Sequence, residues 1–284
     1  MDNVIPNQFI FIFGLQEQKE PFHVCHYLCL ESCYQVNRPE QILFYYHYEP
    51  FGPYWELAKK RIRPVRAELN PYVSRFRYGF KNRGCRKYRY AHHSDFLRLE
   101  KLLEQGGVYA DIDTIFVQRM PSQLFRKPCV LGREDDVTCQ VTHLRRHSLC
   151  NALIMSPRGG EFIGLWAEKM KEAFDGSWSH HSTFVPQELS EQYPELIHIE
   201  PSRSFYKHMW TPQGLHTLLQ GLDDDFAGVY SLHLWSHLWW SRRRTDFSPF
   251  HGGLLTEAYI REVDTTYTII ARRFLPRKEK EKQV

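Results

Sequence analysis

The chain has 284 residues, of which 42% are hydrophobic and 15% aromatic, enough to bury one large core and to exclude disorder over most of its length. Its 37 Lys and Arg against 33 Asp and Glu leave a net charge of +4, part of it in the C-terminal RRFLPRKEKEKQV, which argues against a dedicated nucleic-acid binder. Seven cysteines at no compact spacing fit reduced thiols better than a disulfide scaffold. The N-terminus lacks a basic leader, and its apolar run is too short to cross a bilayer. Together these features predict a cytoplasmic protein without a transmembrane segment.

In chain order, Gln8 to Gly14 is aromatic and β-branched and ends on glycine, so it reads as a buried strand opening into a loop. A helix is expected from about Pro21 to Tyr34, followed by a second strand, Ile42 to Tyr48. Strand, helix, strand is the grammar of a parallel sheet, whose ligands bind at the carboxyl ends of the strands. Cys25, Cys29 and Cys33 fall on one face of that helix; a zinc site is one reading, buried thiols the favoured one. Residues 56–90 are dense in Lys and Arg and read as a solvated helix and excursion rather than a nucleic-acid surface.

From Ser94 the pattern sharpens. Ser94 suits an N-cap, Asp95 the positive end of a helix, and Phe96, Leu99, Leu102 and Leu103 share a helical face. Gly106 and Gly107 stop the helix, and Val108 to Val117 (VYADIDTIFV) reads as a strand. Phe162 to Phe174 is an amphipathic helix, and residues 228–240 form an aromatic stretch rich in His and Trp. Without a dividing linker, residues 1–275 are expected to form one domain, with residues 276–284 a charged, disordered tail.

An apolar strand carrying two carboxylates two residues apart needs a cation, because unpaired buried charge costs several kcal/mol. Along a strand Asp111 and Asp113 would have Cα atoms about 6 to 7 Å apart, awkward for two bonds to one ion unless the strand breaks there. Asp113 is therefore assigned to the metal and Asp111 to the ribose side of a nucleotide, with phosphate oxygens completing the shell. Asp95 and Arg98, three residues apart, are either a surface ion pair or a polar clamp in which Asp95 accepts from sugar hydroxyls and Arg98 donates to diphosphate.

The segment SDFLRLEKLLEQGGVYADIDT closely resembles the signature of the DXD-containing sugar transferases, which include fungal initiating α-1,6-mannosyltransferases, α-1,4-galactosyltransferases and glucosylating bacterial toxins. IPNQFIFIFG is similar to that family's opening strand, CNALIMSPRGGEF to its Asn-containing segment, and HLWSHLWW to its His-x-Trp element. The resemblance implies an α/β, GT-A type nucleotide-diphospho-sugar transferase fold with a mostly parallel central sheet flanked by helices. It makes Phe13 and Gly14 nucleotide contacts, His233 a metal or phosphate ligand, Trp235 a lid over the donor and Asn151 a sugar contact. The family's Gly-Pro dipeptide is missing; only Pro186 remains in HHSTFVPQELS, where His180 and His181 either line an acceptor groove or are loop residues.

The implied activity is Mn²⁺- or Mg²⁺-dependent transfer of a sugar from a nucleotide sugar, UDP-linked or GDP-linked, to a hydroxyl of a glycan, protein or lipid acceptor. Retention of anomeric configuration is implied as well, with a loop expected at Gly132 to Asp136 (GREDD) able to supply a carboxylate near the anomeric carbon. The rival readings are a non-catalytic sugar-nucleotide or glycan-binding module, a nucleotidyl- or phosphoryl-transfer enzyme, and a nucleic-acid binder using residues 56–90.

Overall fold

A computed structural model of the chain describes residues 4–138 and 145–277, with side chains described outside 135–147. Strand β1 (Gln8–Ile12) is followed by helix α1 (Val24–Asn37) and strand β2 (Gln41–Tyr46). Helix α2 (Pro53–Ala58), strand β3 (Arg63–Arg66) and the short helix α3 (Pro71–Arg75) come next, then a 3-10 segment (Phe80–Tyr88) running into helix α4 (Arg89–Gln105). Strands β4 (Gly107–Ala110), β5 (Thr114–Phe116), β6 (Val130–Thr138) and β7 (Arg145–Ser156) precede helices α5 (Glu161–Ala173) and α6 (Val185–Gln192). Strand β8 (His198–Glu200), helix α7 (Ser202–Tyr206) and strand β9 (Ser231–His233) complete the framework, with further short helices behind.

Seven strands form one sheet in the order β3-β2-β1-β4-β7-β6-β8, and β5 pairs separately with β9. The pairs β1–β2, β2–β3, β1–β4 and β6–β8 are parallel, while β7 runs antiparallel to β4 and β6. The sheet is therefore mostly parallel and flanked by helices, the mixed α/β architecture expected from the sequence. Alternation along the strands divides its side chains between two cores. Phe9, Phe11, Ile42, Phe44, Val108 and Ala110 face the layer that holds α1, whereas Ile10, Ile12, Leu43, Tyr45 and Tyr109 face the layer of α4 and α5.

The chain lays down β1, β2 and β3 outward, then returns to place β4 against the other side of β1. That reversal opens a crevice at the carboxyl ends of β1 and β4, the usual ligand position in such sheets. Gly14 sits beyond the end of β1 at φ 74°, with its carbonyl accepting from the His47 and Tyr48 amides. A Cβ there would lie 2.3 Å from the Tyr48 carbonyl oxygen, so glycine is required.

Several local expectations change in three dimensions. Ser94 does not cap a helix: α4 begins five residues earlier, so Ser94 and Asp95 lie inside it, where the helix is held by burial rather than by capping. The expected strand over 108–117 breaks at Asp111, whose amide donates to the Ala152 carbonyl before the chain turns into β5. GREDD is not a loop but part of β6, which carries register shifts at both ends of this stretch. The segment containing His180 and His181 is a π-helical turn, His180–Phe184, leading into α6. Basic residues 56–90 supply α2, β3, α3 and the 3-10 segment, with Arg77, Arg83, Arg86 and Arg89 around a cavity of 290 Å³. From residue 278 onward the expected tail lies outside the described residues.

Gly106 and Gly107 do more than end α4. Both have positive φ, and a Cβ on Gly107 would meet the Gln8 carbonyl oxygen at 2.6 Å. The pair thus lets the chain reverse from helix into the central strand against β1. Gly107→Ala is expected to destabilise the fold by about 2 kcal/mol or more, read as a fall in the urea midpoint.

Acid should also destabilise it. Burial lowers His26 to about 3 and His93 to about 4, below the 6.5 of the unfolded chain. The unfolded state therefore binds protons first as pH falls, so stability is full above pH 6.5 and declines toward pH 4. Each histidine accounts for roughly 2 kcal/mol lost between pH 7 and 5, measurable by denaturation at the two pH values.

Candidate active site

The Asp-Ile-Asp triplet occupies the turn between β4 and β5, where two strands of different sheets diverge. The break removes the geometric obstacle that a continuous strand would impose. One ligand atom each from Asp111, Asp113 and His233 lies within 4.8 Å of the others. His233 reaches the pair because β9 runs antiparallel to β5, with His233 directly opposite Thr114. Its Nε2 is 3.0 Å from Asp113 Oδ1 and 3.6 Å from Asp111 Oδ2.

Asp113 is buried, and burial alone would raise its pKa. The His233 imidazole, together with the Ser236 amide donating to Asp113 Oδ2 at 2.8 Å, outweighs that penalty and holds the carboxyl well below the usual range. Burial likewise opposes a proton on His233, but the Asp113 carboxylate raises its pKa overall. Asp111 differs: burial leaves its pKa raised despite Arg98 and His233, and the Tyr109 hydroxyl donates to Oδ1. Two carboxylates and an imidazole converging in this way form a donor set suited to a divalent cation with some oxygen preference.

Behind the triplet lies a second polar layer. Asp95 and Arg98 are not a surface pair but are buried in α4, with Arg98 Nη2 3.1 Å from Asp95 Oδ1. Asn151, on β7, donates from Nδ2 to Asp95 Oδ1 at 2.9 Å, and His181 Nε2 meets Asp95 Oδ2 at 2.9 Å. Arg98 directs Nη1 to the Asn151 carbonyl at 2.7 Å and to Asp111 Oδ1 at 3.5 Å, and its Nε to the Ser94 carbonyl. Its guanidinium also lies 4.6 Å from the centre of the Tyr109 ring. Burial disfavours its charge, yet Tyr109, Asp111 and Asp95 leave its pKa raised, while the Arg98 charge helps hold Asp95 low against burial.

The structure thus joins Asp95, Arg98, Asp111, Asp113, Asn151 and His233 in one network. Phe13 follows β1 on the other side of the crevice, its ring against Phe22 and His26. The Arg98 donors are directed at Asp95, Asp111, Ser94 and Asn151. Trp235 is buried, its indole N–H donates to the His208 carbonyl, and its ring packs 4.3 Å from His233. His181 is buried against Asp95, whereas His180 is exposed.

Sequence reasoning missed Tyr109 and Ser236, whose roles depend on contacts across the turn. It also missed Cys29, whose thiol lies 3.6 Å from the Asp111 carbonyl oxygen. Burial raises the thiols of Cys25, Cys29 and Cys33, and among the described residues no metal-type cluster includes them. Glu134, within GREDD, is a buried carboxyl receiving the Ser148 hydroxyl at 2.6 Å, with its pKa raised by burial. Among the described residues no helix is long and apolar enough to cross a membrane.

Removing Arg98 tests the second layer. Arg98→Ala removes the guanidinium that Asp95 and Asp111 share and should cost about 3 to 5 kcal/mol. Chemical denaturation is the measurement; a loss below about 1 kcal/mol would mean that the pair is solvated.

Comparison with known proteins finds partial likenesses. Residues 32–131 match the family described as "Glycosyltransferase sugar-binding region containing DXD motif". Glucan organizing enzyme 1 of Cryptococcus neoformans var. grubii is 28% identical over 288 residues, covering 98% of this chain and 73% of that protein. Among solved structures, a galactosyltransferase, LgtC, in complex with donor and acceptor sugar analogues superposes with a TM-score of 0.49 at 10% identity, over 96% of this chain and 98% of that one. The PaToxG glycosyltransferase gives 0.45 at 18% identity, over 68% and 71%.

Proposed function

We propose that the chain is a glycosyltransferase of the DXD sugar-binding kind that its family match and its cryptococcal relative suggest, and that it uses a nucleotide-diphosphate sugar and a divalent cation held by Asp111, Asp113 and His233. The observation that carries this reading is the convergence of those three ligands at the strand break. The cation, Mn²⁺ or Mg²⁺, would supply Lewis-acid neutralisation of the leaving diphosphate. Asp113 is kept ionised by His233 and Ser236, and is the firmer ligand of the two carboxylates.

Asp95 and Asn151 orient the sugar from the side of α4 and β7, and Phe13 and Gly14 border the nucleotide at the end of β1. Arg98 acts through Asp111 and Asp95 rather than on substrate. In the transfer, an acceptor hydroxyl oxygen bonds to the anomeric carbon as the bond from that carbon to the diphosphate oxygen breaks. The hydroxyl proton passes to the departing diphosphate, and a nucleoside diphosphate leaves. Attack on the face the leaving group vacates would retain configuration, with Glu134 the buried carboxyl placed to steady positive charge on the sugar.

A glucan is the acceptor or product class suggested by the name of the cryptococcal relative, and a UDP-linked hexose is the favoured donor. The direct test is nucleotide release from UDP- and GDP-sugars with Mn²⁺, Mg²⁺ or EDTA. One sugar nucleotide should be turned over with metal, and Asp113→Asn should lower the rate by at least about a hundredfold. Release that ignores both EDTA and the substitution would sink the proposal.

A further inference from the structure

Trp178 is the exposed member of the seven tryptophans, at 39% of its surface. Trp55, Trp166, Trp235 and Trp239 each donate their indole N–H to a protein acceptor, which Trp178, Trp210 and Trp240 do not do among the described residues. A single exposed indole is ordinary on a protein surface, so its setting carries the argument. The Trp178 ring lies 4.8 Å from the His237 ring and 4.9 Å, edge to face, from Tyr88.

The three rings come from three distant parts of the chain and are cross-braced. Arg244 Nη1 donates to the His237 carbonyl at 2.9 Å and to the Tyr88 hydroxyl at 3.3 Å. His237 directly follows Ser236, whose amide holds Asp113 Oδ2. One ring of this aromatic shelf is thus fixed one residue along the chain from the amide that holds the Asp113 carboxylate. Aromatic faces with a polar edge suit a pyranose, whose axial C–H bonds present an apolar face and whose hydroxyls take hydrogen bonds at the rim.

We propose that Trp178, with Tyr88 and His237, forms the acceptor subsite, and that its ligand is a hexopyranose ring of a neutral oligosaccharide stacked on the indole. This deepens the function proposed above and rests on it for the word acceptor. His237 links the shelf to the Asp111–Asp113–His233 cluster through the adjacent Ser236, so an acceptor ring held there would lie on the His237 side of the cluster. Trp178 accordingly binds substrate, and Arg244 is a positioning residue that acts through His237 and Tyr88.

The test is calorimetric titration of the full chain with a β-1,3-linked glucose hexamer, in the absence of metal and sugar nucleotide. Trp178→Ala should weaken binding at least tenfold, while Trp178→Phe, which keeps an aromatic face, should stay within about threefold of wild type. Circular dichroism of both variants separates lost binding from lost folding. The proposal is overturned if wild type does not bind the hexamer, or if folded Trp178→Ala binds it as tightly as wild type. Because the titration contains no donor, failure of metal-dependent nucleotide release would count against the proposed donor chemistry and leave this result standing.

Discussion

Two carboxylates, one buried and one partly buried, meet at one turn, and most of the architecture around them can be read as the means of making that tolerable. A buried unpaired carboxylate is costly in a protein interior, so each must be matched by a positive or hydrogen-bonding group fixed in place. Asp113 is matched by His233 and Ser236 from the C-terminal aromatic stretch, and Asp111 by Arg98 and Tyr109 from α4 and β4. The two sets arrive from opposite directions in the sequence. Their meeting at one turn depends on the antiparallel pairing of β5 with β9 and on the packing of α4 against the sheet.

The residual imbalance is what makes the site chemically useful. Asp113 remains strongly acidic while burial raises Asp111, so the two carboxylates are electrostatically distinct although only two residues apart. A cation entering this site would relieve the mutual repulsion that Arg98 and His233 only partly offset. Arg98 is held by Asp95, Asp111 and the Asn151 carbonyl, which fixes its charge behind the turn.

The same economy of placement explains the conformational demands around the turn. Gly106 and Gly107 permit the close return of the chain beside Gln8, which sets where β4 ends and so where Asp111 falls. The left-handed Trp235, at φ 53°, turns the chain after β9 so that the next amide, that of Ser236, can donate to Asp113. Trp235 is itself buried with its ring against His233, whereas Trp178, in the connection between α5 and α6, is exposed.

Much was legible without coordinates. Alternation and apolar runs identified β1, β2 and α1, the double glycine located the end of α4, and the aspartate pair after it carried the chemistry, because local sequence fixes period, helix termination and charge. The beginning of α4 was misplaced, since a buried helix is stabilised by packing that overrides the capping preference of Ser94. The break at Asp111 was not legible either, because it depends on a hydrogen bond to Ala152 in β7, 41 positions away. Burial of Asp95, the commitment of Arg98, the place of Trp235 and the juxtaposition of Trp178 with His237 were likewise decided only by tertiary structure. In each case the deciding contact is made between residues far apart in the chain, and neither residue's local sequence carries information about the other.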